Sequence, residues 1–519
     1  MRTGLKTILL CIGILLAASV TQAETAVPAT SVPATSRTAG TDSVSLWVMD
    51  NGPGSQRALN RIVKKFQKET KIPVQVRFLN WGEAFGEITA ALDSGRGPDV
   101  LQLGSTWVPY FAASGKIAPM VPLLNKIDST RFFKESFKSS HVSLDSNVYS
   151  FPWFVDVRAL YVNESKWKNL ALKEGEVDTY VEFVGALRAL SKMQRDSATK
   201  VAPFALPGNG DWTGPQHMAP FIWSFGGDFL VLDSSGYRSA LLDSTTLAGL
   251  NYFLKIFGDR ELSPYGLDEN SVESTNHFIQ SQQLFMYGTS EIIKQMEISN
   301  EEGGLKESPI TEDGIAIVNP LEGPAGKVGF VGGSHLALSP NHKAAGEALL
   351  QFLLRADNMD AYTRQVGFLP ADESIVNIWH KDARYSQLIE TMKMGKSFPN
   401  IPEWVAVEGI LIELSNSLGA LYRDNPPSPN RNRTVAELFW SAHQRIDLAV
   451  GHQTTLDKVK ALPYIERVLL SASEEKIPET LEQFVAEVSE NPLWRVTALI
   501  AVIIAVCLML LVIKYYWKT

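Results

Sequence analysis

The sequence predicts an α/β protein whose body is built on a parallel sheet covered by helices. Three observations lead there. Strand-like and helix-like segments alternate in strict order through residues 43–104. Hydrophobic and charged contents of 45% and 20% are ordinary globular values. At 519 residues, the chain can bury more core than one domain holds.

The first element, "SVSLWVMD" (Ser43 to Asp50), alternates apolar and polar residues as a half-buried strand does, and Asn51-Gly52-Pro53-Gly54 ends it. Next, Leu59, Ile62, Val63 and Phe66 share one face at helical spacing. "IPVQVRFL" (Ile72 to Leu79) predicts a second strand. A second amphipathic helix carries Phe85, Ile88 and Leu92 until Gly95 and Gly97-Pro98 break it, and "DVLQLG" (Asp99 to Gly104) predicts a third strand. This βαβαβ order implies parallel pairing. Ligands of open parallel sheets sit beyond the carboxyl ends of the strands. The loops of interest are therefore those after Asp50, Leu79 and Gly104.

The two ends of the chain predict where this body lies. Arg2 and Lys6, the apolar run Ile8 to Val20 and Thr21-Gln22-Ala23 together read as a secretory signal, residues 1–23. Its apolar run is only about 20 Å long as a helix, too short for a hydrocarbon core of about 30 Å. An uncleaved signal anchor is the alternative reading. "VPATSVPATS" (Val27 to Ser36) has nothing to pack, so residues 24–42 are expected to be a disordered leader. Near the other end, Val496 to Ile513 carry no charge, with Trp494 before them and Tyr515, Tyr516 and Trp517 after. That pattern predicts a transmembrane helix over 494–513 and a cytoplasmic tail over 514–519. A buried core helix is the competing interpretation. The two cysteines, Cys11 and Cys507, both fall in these end segments, so the exported body is expected to fold without disulfides or thiolate metal sites.

A series of motifs then runs in order along the chain. "NWGEAFGEITAALDSGRGPDVLQL", "VPYFAASGKIAPM", "YSFPWFVDVRALYVNES", "FIWSFGGDFL", "FIQSQQLFMYGTSEI", "VGGSHLALSPNHKAAGEALLQFLL", "GFLPA" and "FPNIPEW" each match a family element weakly, and their succession is specific. In this the chain resembles the extracellular solute-binding proteins of ABC importers, in the carbohydrate-binding group that includes maltose-binding protein. The resemblance covers about residues 43–450. It implies a two-lobed α/β fold of the type II periplasmic-binding-protein class, with a hinge and a ligand cleft between lobes. On that pattern the N-lobe comprises 43–153 and 330–372, and the C-lobe 154–329 and 373–450. Crossovers fall near Pro152–Arg158 and Gly329–Gly333, and residues 451–493 form a helical extension or stalk outside the match. One departure stands out. Gly288 is followed by Thr289-Ser290-Glu291 where the family usually has an aromatic residue.

A sugar offers hydroxyls at its rim and apolar C–H faces, so its sites combine stacked aromatic rings with carboxylates and amides. The candidate ligand-binding residues are Trp81, Trp107, Trp153, Trp212 and Trp404, with polar partners Asp50, Asn80, Thr106, Asp156 and Asp211. Trp212 leads, because "PGNGDWTGPQ" reads as a loop and the resemblance puts it at the ligand-facing side of the C-lobe. Asp156 lies in the crossover, where such proteins often carry a ligand-binding acid; a hinge residue with satisfied partners is the plainer alternative. For each Trp the plainer alternative is packing, and Trp223, alternating with apolar neighbours, reads as core.

Other classes are disfavoured. A net charge of −8 argues against nucleic acid. The eight histidines form no zinc-protease motif, no nucleophile-elbow serine is present, and pairing acids among fifty-six would be arbitrary. The sequence therefore predicts a non-enzyme without cofactor or metal: a membrane-tethered, extracytoplasmic sugar-binding subunit that serves ABC permease subunits. The alternative is a ligand sensor that reports occupancy to a membrane partner without transport.

Overall fold

The computed structural model describes residues 43–169, 177–194 and 201–474. The signal (1–23), leader (24–42), membrane span (494–513) and tail (514–519) expected from sequence lie outside the described residues, as do residues 475–493 of the extension.

The opening βαβαβ unit forms as its pattern requires. β1 (Val44–Met49) buries Val44, Leu46 and Val48 on one face and pairs in parallel with β2 (Val74–Leu79), from Val44↔Val74 to Met49↔Leu79. Its other edge pairs in parallel with β3 (Val100–Gly104). Helix α1 (Ser55–Thr70) buries Leu59, Ile62, Val63 and Phe66, and ends at Lys71 in the left-handed conformation. Helix α2 (Trp81–Asp93) is capped by Asn80, whose side-chain oxygen accepts the Gly82 N–H at 2.8 Å.

Two long strands then carry the chain out of this unit. β4 runs thirteen residues, Phe151–Asn163. Its first half pairs antiparallel with the Gly329–Leu338 strand and with Leu369–Pro370. Its second half pairs with Phe285–Gly288 and Ile315–Val318. The Gly329–Leu338 strand in turn pairs antiparallel with β3. One nine-stranded sheet therefore runs through the described residues, and within it β4 and the Gly329–Leu338 strand, which contain the expected crossovers Pro152–Arg158 and Gly329–Gly333, are direct neighbours.

Two apolar cores flank the crossing. The first gathers Leu46, Phe66, Phe111, Val155 and Leu350, and also takes Phe278, Met286, Ile292 and Ile315 from the 154–329 segment. The second gathers Leu160, Phe183, Trp223, Leu250, Trp404 and Phe439. The extension contributes here as well. Its helix Lys458–Glu474 buries Ala461, Leu462 and Ile465 in the second core, and Thr454 Oγ1 donates to Asp447 Oδ2 at 2.7 Å just before it. Among the described residues, the Trp404–Asp424 helix is long and apolar enough to cross a membrane, but it packs Trp404, Val407, Leu411, Leu414 and Leu418 into that second core.

Candidate functional site

The loops after β1, β2 and β3 meet at one edge of the sheet, and several of the sequence candidates meet there. Asp50 is exposed and accepts from Ser55 Oγ and Gln56 Nε2, each at 2.8 Å, which turns its carboxylate toward the start of α1. Asn80 spends its side chain capping α2. Trp81 follows at once, 37% exposed, with its indole N–H bonded to Asn51 Oδ1 at 3.2 Å. Its ring meets Trp107 edge to face, centroids 5.5 Å apart, and Trp107 leans on Phe85 in the same manner. Half-buried Thr106 lines a small cavity with Ser105, Ser139, Val331, Ser397 and Asn400, between this edge and the crossing strand. The result is an aromatic surface with polar groups beside it.

A second group forms on the other lobe. Trp212 stands at a loop tip with 57% of its surface exposed. Asp211, by contrast, is buried: Oδ1 accepts the Thr213 N–H at 2.6 Å, and the main-chain N–H donates to Asn416 Oδ1 at 3.0 Å. It braces the turn that presents Trp212, and its side chain faces inward. Nearby His217 is pushed down to about 4 by burial, partly offset by the Asp211 charge, so it stays neutral at ordinary pH.

Two expected ligand contacts are instead core. Trp153 is 0% exposed and stacks on Tyr362 with centroids 4.3 Å apart. Trp404 is also 0% exposed and stacks on Phe398 at 4.5 Å. A ring with no accessible face has nothing to offer a sugar in this conformation. Trp223 is core as its pattern indicated, with its N–H donating to Asp228 Oδ1 at 3.0 Å.

Asp156 sits mid-strand in β4, opposite Gly332 of the other crossing strand. One oxygen lies 3.6 Å from Arg158 Nε; the other is sheltered and has no protein partner. Desolvation raises its pKa, and the Arg158 charge partly counters this. Glu291 is its electrostatic neighbour. Desolvation first, then the Asp156 charge, push Glu291 up to about 7, and its Oε2 also lacks a partner. Sequence reasoning noticed Thr289-Ser290-Glu291 only as a departure from the family pattern, without assigning Glu291 a role. It missed Glu408 entirely. That side chain projects from the Trp404–Asp424 helix on the stripe that two turns later carries Ser415, packed at Gly214, and Asn416, bonded to the Asp211 loop. Desolvation lifts Glu408 to about 7. An acid amid the apolar run 404–418 was the available signal. No cluster of metal-ligating side chains occurs among the described residues.

The family model described as bacterial extracellular solute-binding protein matches residues 52–360. The chain belongs to that family. Among the relatives of this solute-binding protein is the diacetylchitobiose binding protein DasA of Streptomyces coelicolor, 25% identical over 406 residues that cover 76% of this chain and 89% of DasA. Among solved structures, the GacH receptor of Streptomyces glaucescens superposes with a TM-score of 0.64 at 16% identity, covering 79% of this chain and 100% of that one. The sugar-binding protein MalE from Xanthomonas citri gives 0.64 at 19% identity, over 79% and 97%. At such identities the structures establish the two-lobed fold, and the family places the binding domain outside the cytoplasm.

Proposed function

We propose that this solute-binding protein captures a small carbohydrate in a cleft between its lobes and delivers it to the permease subunits of an ABC importer. The observation that carries the reading is the aromatic edge of Trp81 and Trp107, flanked by Asp50, Asn80 and Thr106. Rings of this kind cover the apolar faces of a sugar, while the solvent-facing lone pairs of Asp50 and the Asn80 Nδ2 group, outside the α2 cap, would take its hydroxyls. Asp156 would add a desolvated acceptor from the crossing strand, and Trp212 a second ring from the other lobe. The relative DasA is described as binding diacetylchitobiose, GacH was solved with acarbose, and MalE of Xanthomonas citri is described as sugar-binding. All three support the sugar class for this chain.

The lobes on this reading are 43–153 with 330–372, and 154–329 with 373–450, hinged at the crossing strands. The apolar run 494–513 would tether the binding domain to the membrane, holding it near its permease at high effective concentration. A thermal-shift screen of residues 40–490 against sugars tests the proposal. A sugar at 100 times its Kd stabilises the fold by about 2.7 kcal/mol. Stabilisation by an amino acid, a polyamine or a metal, with none by any sugar, would refute it.

A further inference from the structure

The indole of Trp81 is an exposed ring with a buried anchor. Asn51, which accepts its N–H, is 7% exposed, and Gln102 behind it is 0% exposed. These two amides face each other as a reciprocal pair. Asn51 Nδ2 donates to Gln102 Oε1 at 3.2 Å, and Gln102 Nε2 donates back to Asn51 Oδ1 at 3.4 Å. Every remaining site on the pair is also used. Asn51 Nδ2 donates to Tyr362 Oη at 2.8 Å, the Met49 N–H donates to Gln102 Oε1 at 2.9 Å, and Gln102 Nε2 donates to Ser334 Oγ at 2.8 Å. Tyr362 is itself fixed by stacking on Trp153.

Burying two amides at the end of a sheet is costly unless all their groups are satisfied, and an apolar pair would pack there at lower cost. What the polar pair adds is direction. With its donors and acceptors all assigned, Asn51 has one orientation, because a flipped amide would set its N–H2 against the Trp81 N–H. Its oxygen therefore always points at Trp81. The tie matters because a partly exposed Trp held only by packing could change rotamer and lose a stacking face.

We propose that the buried Asn51–Gln102 pair is a positioning unit that fixes the Trp81 ring as a ligand platform and links it, through Ser334, to the crossing strand Gly329–Leu338. This inference rests on the reading of that edge as the sugar-binding surface. Asn51 and Gln102 are positioning residues; Trp81 is the contact.

Calorimetric titration of the full-length chain in detergent, with maltose and diacetylchitobiose as probes, tests it. Asn51→Ala is expected to weaken binding about tenfold where Trp81 is present, and by less than about twofold in a Trp81→Ala background. Equal losses in both backgrounds would overturn the proposal, since Asn51 would then act on the ligand by another route. Gln102→Met keeps the volume of the site and repeats the comparison should Asn51→Ala fail to fold. A second readout needs no ligand. In a 15N-indole spectrum, the Trp81 resonance, assigned by its loss in Trp81→Phe, is expected to exchange slowly with solvent and to speed up at least about tenfold in Gln102→Met. Unchanged exchange refutes the anchoring even if both sugars bind. If neither sugar binds the parent chain while the indole responds as expected, the anchoring stands and the sugar reading falls.

Discussion

At the scale of single residues, burial decides what an aromatic or acidic side chain does. Trp81 and Trp404 carry the same ring, yet one is a third exposed and the other fully buried. Trp404→Ala should cost about 3–5 kcal/mol in chemical denaturation, the range for emptying a large core site, whereas Trp81→Ala should cost well under about 1 kcal/mol and act on ligand affinity. Comparable losses of stability at the two positions would contradict this assignment. For Glu291 the sign follows from its raised pKa. The folded protein retains a proton between the unfolded value, 4.5, and about 7, so stability falls as pH rises through that window and is level above it. Glu291→Gln removes the charge and should flatten that decline, leaving the variant about 1–3 kcal/mol more stable than the parent at pH 8. Urea denaturation at pH 5 and pH 8 reads the difference, and an identical decline in both proteins would show that Glu291 is not its source. Single residues were also the least legible part of the sequence. Trp81 and Trp153 each sit beside strand or loop signals, and only the packing of Tyr362, two hundred residues downstream of Trp153, sends one ring inward. For Glu408 the only signal was an acid within an apolar run, and its desolvation depends on neighbours brought together by the fold.

At the scale of elements, local pattern was a good guide wherever one face of a segment carries the information. β1, β2 and β3 form within two residues of where alternation places them, and α1 and α2 form around the apolar faces read from helical spacing, α2 starting at Trp81, which was expected in the preceding loop. The strand through Pro152–Arg158 was legible only through the family motif, because β4 buries nearly every residue and so shows no alternation. Its partner strand depends on a glycine. Gly333 has φ of 150°, and a Cβ there would lie 2.4 Å from the Phe154 carbonyl oxygen. Gly333→Ala must therefore push β4 away from its neighbour, next to the register shift at Ser334/His335. The expected cost is about 2–4 kcal/mol, read as a lower denaturation midpoint. A midpoint unchanged within error would mean the crossing strands tolerate separation. The extension was half legible: its acidic, partly helical composition suggested a stalk, whereas Leu462 and Ile465 enter the second core and dock the Lys458–Glu474 helix on the lobe.

At the scale of the whole molecule, the two cores share their sheet. β4 gives Val155 and Val157 to the first core and Leu160 and Val162 to the second, with no break in pairing between them. Loss of either core strips half of this strand's partners from the other. Calorimetry of residues 40–490 should therefore show one unfolding transition, with van't Hoff and calorimetric enthalpies in agreement. Two separated peaks would mean the lobes unfold independently. The proposed function adds a requirement that packing alone does not set, since a cleft on that reading needs lobes that move while their cores stay whole. Strands shared by both cores would suit it, with rotation taken up at glycines such as Gly332 and Gly333.

The same interleaving bears on how the protein is made. The first core is assembled from residues between Val44 and Met392, the second from residues between Leu160 and Ile465. Neither can close while the ribosome is still producing the middle of the chain, because each waits for segments encoded late. Completion of either core is therefore a late event in the synthesis of this chain, which on the proposed extracytoplasmic reading would suit threading through a translocation channel.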